Sequence, residues 1–325
     1  VCEEECPSFA GRGAFMGKKQ KEGRKKTSPE EKIHIKTTRR TRKLKLSSGA
    51  FIAPSFIGVM LFFIIPFMVV IYYSVLDGPI SANFVFFDNY KNIVANSAFR
   101  RAVSNTFSFS VVAVPLAVVL SLLLAIMLES KIPFRSQFRT FFLSPMMVPV
   151  ASIVLIWQVL FHYNGTVNEI LGAFGGSKID WLKSDYALVV IVILFLWKNL
   201  GYNMILFMAA LASIPKDILE VARMESAKPL QTFFYIKIRY LSSTLLFVTI
   251  MPLINSFKIF REVYLLTDDY PYDSIYTLQH FMNNKFKQLD YPFLSSAAIL
   301  MSLVMIVIIG ILFIAENRFG RDIEG

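Results

Sequence analysis

At 325 residues the chain is long enough for two soluble domains, but 55% of it is hydrophobic and its mean hydropathy is +0.53, well above the apolar share of a soluble globular protein. That balance excludes an ordinary soluble enzyme and points to a chain built to sit in lipid. The formal charge of +11 is not a nucleic-acid signature, because most of the excess lies between Lys18 and Lys45, beside the first apolar run, where a positive-inside anchor explains it.

Residues 1–48 are polar, basic and poor in large apolar side chains, so they cannot bury enough surface to offset the entropy of ordering. A disordered cytoplasmic tail is expected there, with clustered Lys and Arg suited to anionic membrane lipid. Met16, followed by Gly17, Lys18 and Lys19, resembles a translation start. No small-x-small cleavage pattern follows the first apolar run, so that run is expected to remain as a span. The two cysteines, Cys2 and Cys6, lie in the tail, and no Cys or His cluster has the spacing of a metal site. Neither a metal nor a cofactor is expected on this chain.

A helix needs about 20 apolar residues to cross the hydrocarbon core, and six stretches meet that: 51–75, 103–128, 138–162, 187–211, 241–264 and 293–315. An all-α, polytopic membrane fold over residues 49–325 follows. Arg135, Arg139 and Lys131 crowd the second connection, and Lys216, Arg223, Lys228, Lys237 and Arg239 fill the fourth. The third and fifth carry Asp180, Asp185, Asp268, Asp269, Asp273 and Asp290. By the positive-inside bias both termini and the even-numbered connections are cytoplasmic. Lys91, Arg100 and Arg101 run against the trend but are outweighed by the tail.

Pro145 and Pro149 in the third span free backbone carbonyls and favour kinks, as does Pro252 in the fifth. In the fourth span Lys198 lies near mid-membrane, with Asn199, Tyr202 and Asn203 close by. An ionisable group there is expensive, so Lys198 either lines a pathway or, the reading favoured here, is a structural partner or snorkels toward the interface. Asn199 and Tyr202 are candidates to line a pathway.

Between the fourth and fifth apolar runs lies a charged insert, 212–241. Pro215 reads as a helix start, and Asp217 and Glu220 place negative charge in the first turns, where the helix dipole favours it. Ile218, Val221, Ala222 and Glu225 recur at three- and four-residue spacing, giving a face of small apolar groups and an acid that suits a shallow protein groove. Pro229 breaks the run, and Leu230, Phe233, Phe234, Ile236 and Ile238 resume it. Two short helices with a bend near Ser226 are expected. In the fifth span Asn255, Lys258 and Glu262 fall at i, i+3 and i+7, forming one polar stripe with a Lys258–Glu262 pair at i, i+4. That stripe either lines a pathway or merely neutralises itself.

The insert resembles a known family. Glu220, Val221, Ala222, then Glu225, Ser226, Ala227, then Phe233, Ile236 and Ile238 are similar to the Glu-Ala-Ala loop of ABC importer permeases. The family pattern reads Glu-Ala-Ala, two residues, Asp-Gly-Ala, and later Ile-x-Leu-Pro. Here Val221, Glu225, Ser226, Ile238 and Arg239 replace the first Ala, the Asp, the Gly, the Leu and the Pro. Trp157, Phe161, Gly165, Asn168, Trp181, Leu182, Ala187, Trp197, Ile214 and Pro215 resemble a series in carbohydrate-type importer permeases. Tyr264-Leu265-Leu266-Thr267 and Pro271 are similar to that family's Leu-Thr-x-Gly-Gly-Pro turn, with Asp269 and Tyr270 in place of the glycines.

The resemblance spans about residues 50–320. It implies a multi-pass permease in the plasma (inner) membrane of a prokaryote, carrying a sugar or oligosaccharide. The implied partners are a second homologous permease subunit, a cytoplasmic ABC ATPase dimer docking on the 212–241 loop, and an extracellular solute-binding protein.

Gly172–Lys178 reads GAFGGSK and lacks the second Gly immediately before Lys that a Walker A sequence needs. ATP hydrolysis is therefore expected on a separate subunit. No Gly-x-Ser-x-Gly elbow or His-Glu-x-x-His pair supports a membrane hydrolase. A self-sufficient carrier or channel for a small polar solute is the competing reading; such a carrier is expected to show repeated halves, and none is visible.

Overall fold

The computed structural model describes residues 52–78, 83–129, 133–269 and 271–320. The expectations for the 1–48 tail, Lys131 and Tyr270 fall outside them. The chain divides into two units, Val1–Ile65 and Pro66–Gly325. The division falls inside the first apolar helix, α1 (Ile52–Ser74), which carries a π-helical turn at Met60–Ile64.

The second unit continues with α2 (Asp88–Ala95), α3 (Ser97–Glu129), α4 (Arg135–Met147), α5 (Val150–Leu160), α6 (Thr166–Ala173) and α7 (Ala187–Ala212). After α8 (Lys216–Met224) come the short turns Pro229–Thr232, Phe233–Lys237 and Ile238–Tyr240. Then follow α9 (Ser242–Phe257), α10 (Phe260–Thr267), α11 (Leu278–Lys287) and α12 (Tyr291–Gly320). Among the described residues the extended pairing is a single bridge, Leu76 with Phe84.

Among the described residues five helical stretches are long and apolar enough to cross a membrane, and a sixth is a bent pair. That pair corrects the third span, expected as one run over 138–162: α4 and α5 meet at 102°. Pro149 caps α5 in an extended conformation and Val148 before it is extended too, because a proline ring excludes the preceding residue from the helical region. The fifth span is also interrupted, but gently. Its break falls at Lys258, the C-cap of α9, and not at Pro252, which α9 accommodates internally.

α3 is held at its start by Asn96, whose Oδ1 accepts the N–H groups of Ala98 (2.9 Å) and Phe99 (3.1 Å), satisfying two otherwise orphaned donors. Its 33 residues span about 50 Å, more than the hydrocarbon core requires. Ala113 and Ala117 are fully buried where α3 meets α7; small side chains allow close approach between helices that gain little from hydrophobic association in lipid. Phe109 packs edge-on against Phe195 at 5.3 Å. Gly201 on α7 is required by its neighbour, since a Cβ there would stand 1.9 Å from the backbone oxygen of Phe142 on α4.

A second core lies toward the other end of the same helices, where Ala125, Leu128, Met204, Phe207, Leu211, Ile214 and Leu241 pack together. α12 closes on α9 through Met301, Met305 and Leu312, while Ile306, Val307, Ile311 and Ile314 remain exposed. Such an apolar band is what a lipid-facing helix presents.

Candidate translocation pathway and docking loop

Two regions carry the residues singled out by sequence. The first is a cavity of about 500 Å³ walled by α4, α7, α9 and the α9–α10 break. It gathers all five pathway candidates: Asn199, Tyr202, Asn255, Lys258 and Glu262. Asn255 donates from Nδ2 to Asn199 Oδ1 at 2.9 Å, and Asn199 donates from Nδ2 to the Phe195 carbonyl at 2.8 Å. An amide ladder therefore joins α7 to α9.

The expected Lys258–Glu262 pair does not form. Glu262, whose side chain is 6% exposed, pairs instead with Lys198 across the α7–α10 interface. The physical reason is the interruption at Lys258, which destroys the continuous register that an i, i+4 pair needs. Lys198 thus has a structural partner and also lines the cavity. Lys258 and Arg261 are exposed in the cavity wall and have no ion pair among the described residues. Arg261 was missed by sequence reasoning, although an arginine within a span is a signal in itself. Asn203, 1% exposed, also lines the cavity, and its Nδ2 has no hydrogen-bond partner.

The second region is the 212–241 loop. Its first helix starts at Lys216 after an extended Pro215, as expected, and ends in a left-handed turn at Ser226, φ 56°. The Ala227 N–H reaches the Ala222 carbonyl at 3.0 Å and the Ser226 N–H reaches the Arg223 carbonyl at 3.0 Å. This is a Schellman ending, with serine in the position that glycine ordinarily takes. Pro229 then opens the next turn, where the Lys228 N–H donates to Gln231 Oε1 at 2.9 Å.

The face expected to enter a partner's groove needs correction. Ala222 is only 5% exposed and is turned into the chain, and Ala227 lines an internal groove with Leu123, Leu219 and Phe233. Glu220, Val221, Glu225 and Ser226 are exposed, and Met224, 84% exposed, joins them. In a helix of 9 residues, a pattern broad enough to include both Val221 and Ala222 spans two faces, and packing decides which turns inward. Lys237 at the loop's exit pairs with Glu129 at the end of α3 at 2.8 Å, so the loop is tied to the long helix.

The aromatic series at the opposite end is structural. Asn168 is 1% exposed and donates to the Tyr163 and Ile179 carbonyls, while its Oδ1 accepts the Ile179 N–H and, at 2.9 Å, Trp181 Nε1. Phe161 stacks on Trp157 at 5.1 Å and meets Trp181 at 5.8 Å. These rings fasten the α6 excursion to the α5–α7 core rather than standing free. At the turn after α10 the positive φ falls on Asp268, at 60°, one residue ahead of the two positions where the resemblance places glycines.

Residues 117–325 match the family of binding-protein-dependent transport system inner membrane components. The chain belongs to that family. The match contains both the cavity and the loop. The chain is similar to the lactose transport system permease protein LacF of Rhizobium radiobacter, 30% identical over 290 residues that cover 86% of this chain and 96% of the relative. It is 28% identical to the probable ABC transporter permease protein YesP of Bacillus subtilis, over 86% of this chain and 91% of that one. In fold it matches a chain of a bacterial ABC transporter involved in the import of the acidic polysaccharide alginate, with a TM-score of 0.75 and 18% identity over 87% of this chain and 99% of the other. The molecule is therefore an all-α membrane permease of the ABC importer type.

Proposed function

We propose that this permease forms one half of a pathway for a sugar or oligosaccharide, received from an extracellular binding protein and shared with a second permease subunit. Separate cytoplasmic ATPases drive it by docking on Glu220, Val221, Met224 and Glu225. The observation that carries this reading is the outward face of α8: acids and large apolar side chains left exposed on a helix whose inner face and turn are fully engaged by the chain itself. Curated relatives named for lactose, trehalose/maltose and arabinooligosaccharides support sugar as the cargo. A solved neighbour in complex with a pentasaccharide-bound periplasmic protein supports delivery by a binding protein.

Ala222→Trp is no probe of docking, because it would overfill the chain's own interior. Glu220→Lys and Val221→Asp alter only the exposed face. Either is expected to leave the permease in the membrane at normal level while its ATPase no longer co-purifies and uptake is lost; retention of both would sink the docking assignment. Orientation is checked by cysteine labelling with an impermeant reagent in intact cells. Ser177→Cys should react and Ser226→Cys, on the cytoplasmic side, should not.

A further inference from the structure

The cavity at the α9–α10 break has an imbalance that a neutral sugar does not explain. Its charged wall residues are Lys198, Lys258 and Arg261 against Glu262, three cations to one anion. Glu262 is already committed to Lys198. The charged groups left open are then the Lys258 ammonium and the Arg261 guanidinium, with the unpartnered Nδ2 of the buried Asn203 beside them; these three only donate, and the remaining acceptors in the same wall, such as the Tyr202 hydroxyl, are neutral. A sugar hydroxyl both gives and takes hydrogen bonds, whereas a carboxylate or phosphate oxygen only takes them. Two cations three residues apart in a membrane span are costly without a counter-charge, and among the described residues neither has an ion-pair partner. We infer that the solute crossing this cavity carries negative charge, as a uronic-acid or phosphorylated sugar, and that Lys258 and Arg261 receive its anionic groups while Asn203 donates to a neighbouring oxygen.

The inference rests on the permease reading and deepens it by naming the solute's charge. The test uses the whole transporter, with its partner permease, ATPases and binding protein, reconstituted in lipid vesicles. It is offered neutral, uronic and monophosphorylated di- to tetrasaccharides. ATP-dependent uptake is expected only for anionic members, and the uronic and phosphorylated arms decide which anion is used. Lys258→Gln and Arg261→Gln should each lower uptake of the transported anionic sugar by about tenfold or more, the scale of one charge-assisted hydrogen bond. Lys258→Arg, which keeps the charge, should retain most of it. ATP-driven uptake of neutral members, no uptake of any anionic member, or anionic uptake indifferent to both glutamine variants would each overturn the charge inference. Uptake that needs no ATP would overturn the permease reading itself.

Discussion

The cavity at the α9–α10 break and the 212–241 loop treat polar side chains in opposite ways. In the cavity, the buried Glu262 and the Asn255 amide find partners from distant sequence, Lys198 and Asn199, while Lys258 and Arg261 stay open in the wall. In the loop, the hydrogen bonds that shape α8's ending are local, running from Ala227 and Ser226 back to Ala222 and Arg223, and the acids Glu220 and Glu225 are left facing out. A pathway through lipid has to satisfy its buried charges within the protein. A docking surface in water does not, and can leave them for a partner. The difference is therefore testable by asking which region tolerates the loss of a polar group.

The largest effect is expected in the cavity. Glu262→Leu leaves Lys198 largely buried without its carboxylate, and breaking such a pair costs about 3 to 5 kcal/mol. The purified permease should unfold well below the wild-type temperature, and the double change Lys198→Met with Glu262→Leu should recover most of the loss. If the single variant melts like the wild type, the pair is not structural and the contrast with the loop fails.

Close behind comes the support under α10. Phe260 packs edge-on against His280 at 4.6 Å, and Thr277 Oγ1 lies 2.8 Å from His280 Nδ1. Burial, the larger influence, pushes the imidazole down to about 4, against the opposing pull of the Asp269 carboxylate. Since the unfolded chain takes up this proton near the ordinary value of 6.5, the stability that neutral His280 provides is complete above about pH 6.5 and fades as the pH falls toward 4. The full loss is about 3 kcal/mol. Thermal melts of the wild type and His280→Gln should differ in slope across that window; parallel slopes would place the acid sensitivity elsewhere.

Gly201→Ala probes the wall itself. The added methyl meets the Phe142 backbone, so α4 and α7 must separate, at about 1 to 3 kcal/mol. Because Asn199, Tyr202 and Asn203 flank this contact, uptake should fall along with melting temperature. A change in melting alone would show that the wall's spacing is not tied to passage.

How much of this was legible beforehand follows the same divide. The loop could be read almost residue by residue: Pro215, Pro229 and the bend at Ser226 are local signals, and local backbone chemistry realises them. The sequence period could not tell that Ala222 turns inward while Val221 turns out, because they are neighbours and only packing against the rest of the chain separates them. In the cavity the inventory was legible but the pairing was not. An i, i+4 spacing suggested Lys258 with Glu262, and nothing in the spacing reveals that the helix stops at Lys258 or that Lys198, 64 positions away, reaches the same carboxylate. In the third span the kink was legible from Pro149 but its extent was not, because the angle of 102° depends on how α4 and α5 pack.

The smallest expected effect belongs to the loop and works in the favourable direction. Ser226 holds a left-handed conformation, φ 56°, that costs a residue with a Cβ about 1 kcal/mol. Glycine takes this geometry without the clash, although its greater freedom in the unfolded chain returns part of the gain. Ser226→Gly should therefore stabilise the α8 ending by a few tenths of a kcal/mol up to about 1 kcal/mol. Hydrogen exchange of the Ser226 and Ala227 amides, which carry the two closing bonds, reads this directly: protection should rise in the glycine variant while amides around Glu262 are unchanged. The Schellman turn, by fixing where α8 ends, also fixes the angle at which Glu220 and Met224 face outward, so ATPase retention should be at least as good as in the wild type. Lower protection would mean that the serine hydroxyl stabilises the turn by more than the strain opposes it, and the loop would then depend on a side-chain contact in the same way the cavity does.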